Sequence, residues 1–223
     1  MLNIKKYLMY GALISLSVCT WSKFFYEWWK LHKKYKEHLL FLQRHNCIVS
    51  YCVGKMGGWS SEGVKVDKWL TLQNQYEPVL YFIRTAKYSL DIAVMILSVE
   101  CITDEILLAF KRKVNVRIIV DLNYNRNSTL LLELSRAGIP ILYYDSPNSD
   151  VNSIFHCKYM VKDYSSESGY LFVASLNFCS QSVVSNYESI TFTMHHYLLT
   201  EFKNNFESSW RTIREMNGKR TLH

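Results

Sequence analysis

The chain has few of the residues that interrupt a fold, with three Pro and eight Gly among 223 residues. This scarcity excludes collagen-like and low-complexity disordered chains, which are rich in both residues. The six Cys are scattered through apolar stretches, and a chain of this length can bury a core without disulfide staples. We therefore expect a reduced, cytosol-facing protein with one compact domain and a terminal extension.

Acidic residues are outnumbered, and the net charge is +7. Eight of the 26 Lys and Arg residues, but only two of the 19 acidic residues, precede Cys47. The rest of the chain is nearly neutral, so the global charge does not predict nucleic-acid binding. A basic segment beside an apolar one is more typical of contact with anionic lipid headgroups.

The N-terminus has the pattern of a membrane anchor. The 15 residues from Tyr7 to Trp21 carry no charge, and lysines flank them on both sides. Aromatic residues typical of an interfacial belt follow, and the larger basic cluster on the C-terminal side predicts a cytosolic body. The run is shorter than the about 20 residues of a usual span, so a cleaved signal peptide and a buried core helix are the alternatives. A short anchor with a basic downstream flank favours the outer mitochondrial membrane.

Three segments are predicted: an anchor over 1–30, a basic stalk and Gly/Ser-rich loop over 31–65, and a catalytic domain over 66–217. In the third segment, short apolar runs typical of buried strands alternate with helical patterns. Strands are predicted at 89–97, 116–120, 139–144, 155–161, 170–174 and 189–194, and helices at 78–87, 128–137 and 197–216. This alternation predicts an α/β fold with a mixed, largely parallel sheet flanked by helices.

Residues 155–163, FHCKYMVKD, carry the main chemical signal. In a strand, the side chains of His156 and Lys158 project to the same side. An imidazole beside an ammonium suits a site that binds an anion and attacks it. Asp163 follows at the end of the strand, where it could support the site or a neighbouring turn.

A second polar stretch, ASLNFCSQS at 174–182, is followed by NYES at 186–189. Ser175 and Asn177 share one strand face and offer neutral hydrogen-bond donors suited to phosphate oxygens. Glu188 could accept a proton from one imidazole nitrogen, which fixes the tautomer and leaves the other nitrogen free to attack.

The spacing His156-x-Lys158-x4-Asp163 resembles the HKD motif of the phospholipase D superfamily. Residues 174–177, ASLN, resemble the Gly-Ser-x-Asn that follows it there. The combination is more specific than the bare motif, which arises by chance in unrelated chains. The resemblance extends over roughly residues 76–215. The single motif, short length and anchor are most similar to the mitochondrial phospholipase D branch.

The resemblance implies a catalytic set of His156, Lys158, Asp163, Asn177 and Glu188, with Ser175, Lys158 and Asn177 binding the substrate. It implies a homodimer, because two HKD motifs complete one site. One His156 would form a phosphohistidine, and the other would protonate the leaving oxygen and then activate water. Glu188 would orient His156. The family chemistry needs no metal or other cofactor.

Members of the mitochondrial branch also carry a small Cys/His zinc site. Only Cys47 and Cys52 lie in the corresponding region, with His45 nearby, whereas a structural zinc ion takes four ligands. We therefore expect the zinc site to be absent or degenerate, and the two cysteines to be packing residues.

Two substrates and one non-enzymatic role follow from the resemblance. The first substrate is single-stranded RNA, cut in piRNA production and gene silencing at the mitochondrial surface, with Arg126 or Lys162 at the rim of the dimer groove. The alternative is cardiolipin, hydrolysed to phosphatidic acid. The third possibility is an inactive scaffold, suggested by Ala174, Phe178 and Cys179, where the family has other residues.

Overall fold

A computed structural model describes residues 2–64, 71–147 and 153–220. It divides the chain into two compact units, Met1–Leu42 and Gln43–His223. The first unit is helical, and the second contains the sheet and the remaining helices. The predicted boundary between residues 65 and 66 lies outside the described residues.

Helix α1 runs without interruption over Leu2–Arg44, so the predicted anchor and the helical part of the stalk form one helix. Its apolar side chains are exposed, with Leu8 at 69% and Trp21 at 70%. Its most apolar 18-residue window has a mean hydropathy of 1.2, and none of it is buried inside the protein. Such exposure is not typical of a core helix. By length and composition, α1 can cross a membrane.

Eight strands form one sheet in the order β2-β1-β8-β7-β6-β3-β4-β5. The strands are β1 (Cys47–Cys52), β2 (Lys55–Gly57), β3 (Ser89–Val94), β4 (Asn115–Asp121), β5 (Ile141–Tyr144), β6 (Lys158–Lys162), β7 (Tyr170–Ala174) and β8 (Tyr187–Thr193). The other helices are α2 (Thr71–Arg84), α3 (Glu100–Lys111), α4 (Leu122–Asn125), α5 (Thr129–Arg136), α6 (Ser180–Val184) and α7 (His196–Arg220). The predicted mixed α/β fold is confirmed.

The sheet is less parallel than predicted. Strands β3, β4 and β5 pair in parallel, as the alternation of strands and helices indicates. The other five of the seven pairings between described strands are antiparallel. The expectation of a largely parallel sheet is corrected, because the connection 163–169 between β6 and β7 is too short for the crossover that a parallel pair requires.

The Gly/Ser-rich loop predicted within 31–65 contains a β-hairpin. Strand β1 pairs with β8, where Tyr51 lies opposite Glu188, and β2 pairs with β1. The glycines that indicated a loop lie at turns, since Gly54 and Gly58 have φ values of 77° and 88°, which favour glycine. The strand forms because β8 offers an edge to pair with, a tertiary contact that local propensity does not show.

Cys47 and Cys52 occupy the two ends of β1. Five residues along a strand span about 17 Å and turn the two side chains to opposite faces. The thiols therefore cannot bind one zinc ion at bond lengths of about 2.3 Å. Cys47 packs against the core, whereas Cys52 is exposed. Within the described ranges, no group of three or more His, Cys, Asp or Glu could hold a metal ion; metal independence of the reaction stays a prediction.

Helix α2 begins at Thr71 rather than near Pro78, which lies inside it. A proline removes one backbone donor from a helix and disfavours an interior position. Val79, Leu80 and Phe82 are nevertheless buried against the sheet. Tertiary packing of this apolar side therefore outweighs the local cost of the proline.

Apolar layers cover both faces of the sheet. On one face, Phe82 of α2 and Ile102 of α3 pack with Phe172 of β7. On the other face, Leu199 and Phe206 of α7 form a smaller cluster. Helices therefore cover both faces of the sheet, and the ends of its strands remain available for a functional site.

An ionic cluster fastens α7 to the sheet. The buried carboxylate of Asp91 accepts hydrogen bonds from Nε of Arg117 at 2.7 Å and from Nζ of Lys203 at 2.6 Å. Glu207 accepts from Nη2 of Arg117 at 2.6 Å. The hydrogen bond from Arg117, reinforced by Lys203 and partly opposed by burial, lowers the pKa of Glu207 to about 2.

Candidate active site

Five of the predicted site residues converge on one edge of the sheet. His156 precedes β6, which begins at Lys158, whereas Ser175 and Asn177 follow the end of β7 and Glu188 lies at the start of β8. Strands β6, β7 and β8 are antiparallel neighbours. The start of β6, the end of β7 and the start of β8 therefore meet at the same edge, which we call the catalytic edge.

His156 is exposed, but the backbone before it is firmly held. The N–H of Phe155 donates to Oδ2 of Asp121 at 2.8 Å. Asp121 is only 1% exposed, and its Oδ1 accepts from the N–H of Asn123 at 2.9 Å. The arrangement presents an accessible imidazole on an anchored segment, as a nucleophile requires.

Lys158 is 8% exposed, and its Nζ donates to the backbone oxygen of His156 at 3.0 Å. Burial lowers the pKa of Lys158, while the charges of Cys157 and Glu188 act in the opposite direction. A cation that is little exposed to water attracts a nearby negative charge more strongly than a fully hydrated one. Lys158 is therefore placed to bind an anion beside His156.

Glu188 is the acceptor of a small network at this edge. Ser175 Oγ donates to Oε2 of Glu188, and Nδ2 of Asn186 donates to Oε1 at 3.0 Å. Ser175 Oγ also accepts from the N–H of Ser189 at 3.0 Å. In the part of the chain that the structure describes, no hydrogen bond joins Glu188 to His156. Glu188 positions Ser175, and its orientation of His156 stays a prediction.

The amide oxygen of Asn177 is buried and has no hydrogen-bond partner among the described residues. Its backbone carbonyl is fixed by Oη of Tyr76, which donates at 3.1 Å. An unsatisfied buried polar atom costs about 1–3 kcal/mol, and a functional role is one reason why a protein retains one. An amide oxygen accepts hydrogen bonds and does not bind a phosphate oxygen, so the substrate-binding role would need Nδ2 of Asn177 and stays a prediction.

Asp163 lies apart from these residues. It follows the far end of β6, about 20 Å along the strand from His156. Its carboxylate accepts hydrogen bonds from the backbone N–H groups of Lys87, Tyr88 and Ser89 at 2.7–3.1 Å. The sequence allowed two roles for Asp163, and these hydrogen bonds agree with support for a neighbouring turn. Within the described residues, no hydrogen bond joins Asp163 to the catalytic edge.

The two cations expected at the rim of the groove lie in different places. Lys162 is completely buried and donates to the carbonyl of Phe82 at 3.2 Å and to Oγ1 of Thr85 at 2.8 Å. Burial lowers the pKa of Lys162 well below its usual range. The rim position is therefore wrong for Lys162, because β6 directs its side chain beneath α2. Arg126 is exposed beyond the end of β4, at the same edge as His156.

A cavity of about 670 Å³ opens between β6, β7 and α7. Its walls include Lys158, Ala174 and Phe202, and Oη of Tyr159 donates to Oδ1 of Asn205 at 2.7 Å beside it. Lys158 thus borders a space large enough for part of a substrate.

Polar residues that were not predicted from the sequence connect the end of β4 to the catalytic edge. Asn125 is 4% exposed; its Oδ1 accepts from the N–H of Leu97 at 3.1 Å, and its Nδ2 donates to the carbonyls of Met95 and Asp121 at 2.7 Å. A signal was present, since Asp121 and Asn125 follow a buried strand and the carboxyl ends of parallel strands are where α/β sites form.

Comparisons with known proteins agree with the fold. Residues 79–210 match the family model described as cardiolipin synthase, PLD-like domain. A search of the curated proteins gave no match. Among solved structures, the chain is similar to the phospholipase D family member Nuc from Salmonella typhimurium, with 24% identity and a TM-score of 0.50 over 60% of this chain and 84% of that one. It is also similar to NucT from Helicobacter pylori, with 19% identity and a TM-score of 0.54 over 65% and 91%.

The fold and the catalytic edge define a phospholipase D-like protein. The chain belongs to the PLD-like domain family, and the membership of the phospholipase D superfamily that the HKD spacing predicts is confirmed. The two structural similarities concern the fold. Family and fold together support a phosphodiester-cleaving activity.

Proposed function

We propose that the chain is a metal-independent, single-strand endoribonuclease of piRNA production, a Zucchini-type enzyme. The observation that carries the proposal is the meeting of an exposed His156 with Lys158, Ser175 and Asn177 at one edge of a phospholipase D-like sheet. The exposed apolar helix α1 supports membrane anchoring. Its short apolar run and basic flank support the outer mitochondrial membrane, with the catalytic unit in the cytosol.

A homodimer completes the proposed site. His156 is the one imidazole at the catalytic edge among the described residues, since His45 contacts Lys162 at the far end of β6 and His195 follows the far end of β8. A double displacement at phosphorus needs a nucleophile and a separate acid. A second copy, related by a two-fold axis, supplies the second His156.

In the first step, His156 of one copy attacks phosphorus, and the bond from phosphorus to the leaving oxygen breaks. His156 of the second copy gives that oxygen a proton, and a phosphohistidine remains. The second imidazole then takes a proton from water, whose oxygen attacks phosphorus and releases the first imidazole. Lys158 and Asn177 bind the non-bridging oxygens, where negative charge accumulates in both transition states.

The test uses the full-length chain in detergent micelles with a 5′-labelled single-stranded RNA and EDTA. Wild type is expected to cut the strand, and His156→Ala to lose the activity. His195→Ala, an exposed histidine at the opposite edge, is the matched control and keeps it. Cleavage that persists in His156→Ala, or that requires added Mg²⁺, contradicts the proposal.

A cardiolipin hydrolase that releases phosphatidic acid is the second candidate. The family description names a cardiolipin synthase, and an apolar helix would hold the protein at its substrate. If the strand stays uncut, the same proteins are incubated with cardiolipin vesicles, and phosphatidic acid that depends on His156 would favour this reading. A folded dimer that turns over neither substrate would be an inactive scaffold.

A further inference from the structure

A second cavity at the catalytic edge is lined mainly by hydrogen-bonding side chains. It measures about 410 Å³ and lies between the end of β3 and the segment that follows β4. Its polar lining includes Ser98, Asn123, Tyr124, Arg126 and Asn127. Arg126 is the one charged residue among the ten described residues that line it, so the cavity holds a cation and no carboxylate.

The wall from β3 is joined directly to the segment that carries Asn177. Leu97 and Phe178 form an isolated parallel bridge, and the N–H of Ser98 donates to the carbonyl of Phe178 at 2.8 Å. Phe178 is the next residue after Asn177. The cavity and this substrate-binding position are therefore parts of one hydrogen-bonded surface.

The wall from β4 is joined to the segment that carries His156. Asp121 ends β4 and binds the N–H of Phe155, one residue before His156. Strand β3 separates β4 from β6. Two strand spacings are about 10 Å, so β4 and β6 lie about that far apart at this edge.

The polar floor of the cavity is fixed in advance of any ligand. Asn125 bonds to Met95, Leu97 and Asp121, and the carboxylate of Asp121 holds the N–H of Asn123. The carboxylate of Asp121 points to backbone N–H groups, and Asp121 is not among the residues that line the cavity. These bonds use the donors of Asn125 and the N–H of Asn123, so they fix the wall and reduce the ordering cost of binding rather than contact the ligand.

Arg126 and Tyr124 offer two different kinds of contact side by side. An arginine guanidinium pairs with phosphate through several N–H donors. Tyr124 is 52% exposed, and an exposed aromatic ring stacks on a nucleobase whatever its identity. A polynucleotide presents phosphates and bases in alternation, whereas a phospholipid headgroup has no planar base to stack.

We propose that this cavity binds a second phosphate of a single-stranded nucleic acid, with a neighbouring base on Tyr124, while the scissile phosphate lies at His156. The proposal rests on the proposed nuclease function and adds a subsite that holds the strand. The recognition is of backbone and base planes, so it does not depend on sequence.

The experiment measures equilibrium binding of a fluorescent single-stranded RNA to the full-length chain in micelles, in a His156→Ala background that leaves the strand uncut. Arg126→Ala is expected to weaken binding and to reduce the slope of log K against log salt by about 0.7, the loss of one phosphate contact. Tyr124→Ala is expected to weaken binding about fivefold or more, and Tyr124→Phe to change it little. Arg136→Ala and Tyr88→Ala, exposed residues away from the catalytic edge, serve as matched controls.

The outcomes separate the subsite from the function on which it rests. A parent protein that binds no strand contradicts the nuclease function itself. If Arg126→Ala and Arg136→Ala bind the strand with the same slope of log K against log salt, the subsite is overturned but the nuclease function is not. Cardiolipin vesicles form a second arm: an Arg126 effect seen on vesicles but not on the strand overturns the subsite in favour of a lipid headgroup.

Discussion

The buried carboxylate of Asp121 binds the backbone N–H of Phe155 at 2.8 Å, so a residue at the end of β4 fixes the segment that presents His156 two strands away. Asp121→Asn keeps the shape of the side chain but replaces one acceptor oxygen with a donor. We expect kcat for bis(p-nitrophenyl) phosphate to fall about tenfold to a hundredfold, because small displacements of a nucleophile are costly. KM is expected to change much less.

The split between kcat and KM distinguishes positioning from general damage. Asp104→Asn, an exposed aspartate on α3, is the control and should match wild type. Thermal unfolding of both variants shows whether the fold persists. If Asp121→Asn remains folded with an unchanged kcat, Asp121 does not position His156.

Asp163 is expected to contribute stability rather than chemistry. Its carboxylate binds three backbone N–H groups at the start of β3 and just before it, and its φ of 51° is tolerated better by Asp or Asn than by Ala. Asp163→Ala should therefore lower the free energy of unfolding by about 2 kcal/mol or more, with Asp163→Asn less affected. Urea unfolding measures the difference.

The exposed Glu167 of the same β6–β7 connection provides the control, since Glu167→Ala removes a carboxylate without these bonds. The opposite pattern is equally informative. Wild-type stability in Asp163→Ala, combined with lost turnover, would assign Asp163 to catalysis after all.

Glu207 should make stability depend on pH in the acid range. Arg117 lowers the folded pKa of Glu207 to about 2, against an ordinary value of 4.5. The resulting stabilisation is fully present above pH 4.5 and is lost as the pH falls from 4.5 through 2. Because 41% of this side chain is exposed, solvent screening should limit the effect to less than about 1 kcal/mol.

Melting temperatures between pH 7 and pH 2.5 test this expectation. Glu207→Gln should reduce the loss of melting temperature at acid pH. Glu215→Gln, at an exposed position on the same helix, should leave that loss unchanged. Identical acid profiles for Glu207→Gln and wild type would refute the ionic contribution.

A shared active site predicts a simple mixing result. If every site needs two copies of His156, an equal mixture of wild type and His156→Ala, exchanged to equilibrium, retains about a quarter of the activity, since only wild-type pairs are complete. Independent monomers would retain about half. Activity is measured after mixing in micelles, with wild type plus His195→Ala as the reference; a value near half would exclude the shared site.

Much of the fold could be predicted where a segment is buried on both faces. The apolar runs of β3 and β4 mark them as central strands, and Gly138 marks the end of α5. The β1–β2 hairpin could not be predicted, because its glycines resemble a loop and its partner β8 lies more than 130 residues away along the chain. Strand direction was also misjudged, because local patterns do not specify which neighbour a strand joins.

The candidate site, like the fold, could be predicted only in part. Residues one or two positions apart, such as His156 and Lys158, stay together in any extended segment, so their proximity could be predicted. The role of Asp163 could not be chosen from the sequence, because its backbone partners lie about 75 residues earlier in the chain. The contact between Asp121 and Phe155 could not be predicted either, because it depends on the order of the strands in the folded sheet.

The sheet changes from parallel to antiparallel pairing where β3 meets β6. The reactive side chains all come from the antiparallel part, whereas the walls of the smaller cavity come from loops of the parallel part. The proposed reactive residues and the proposed strand-binding subsite therefore lie in separate stretches of the sequence. Substitutions within residues 122–130 are expected to change binding of the strand while the proposed reactive side chains stay the same.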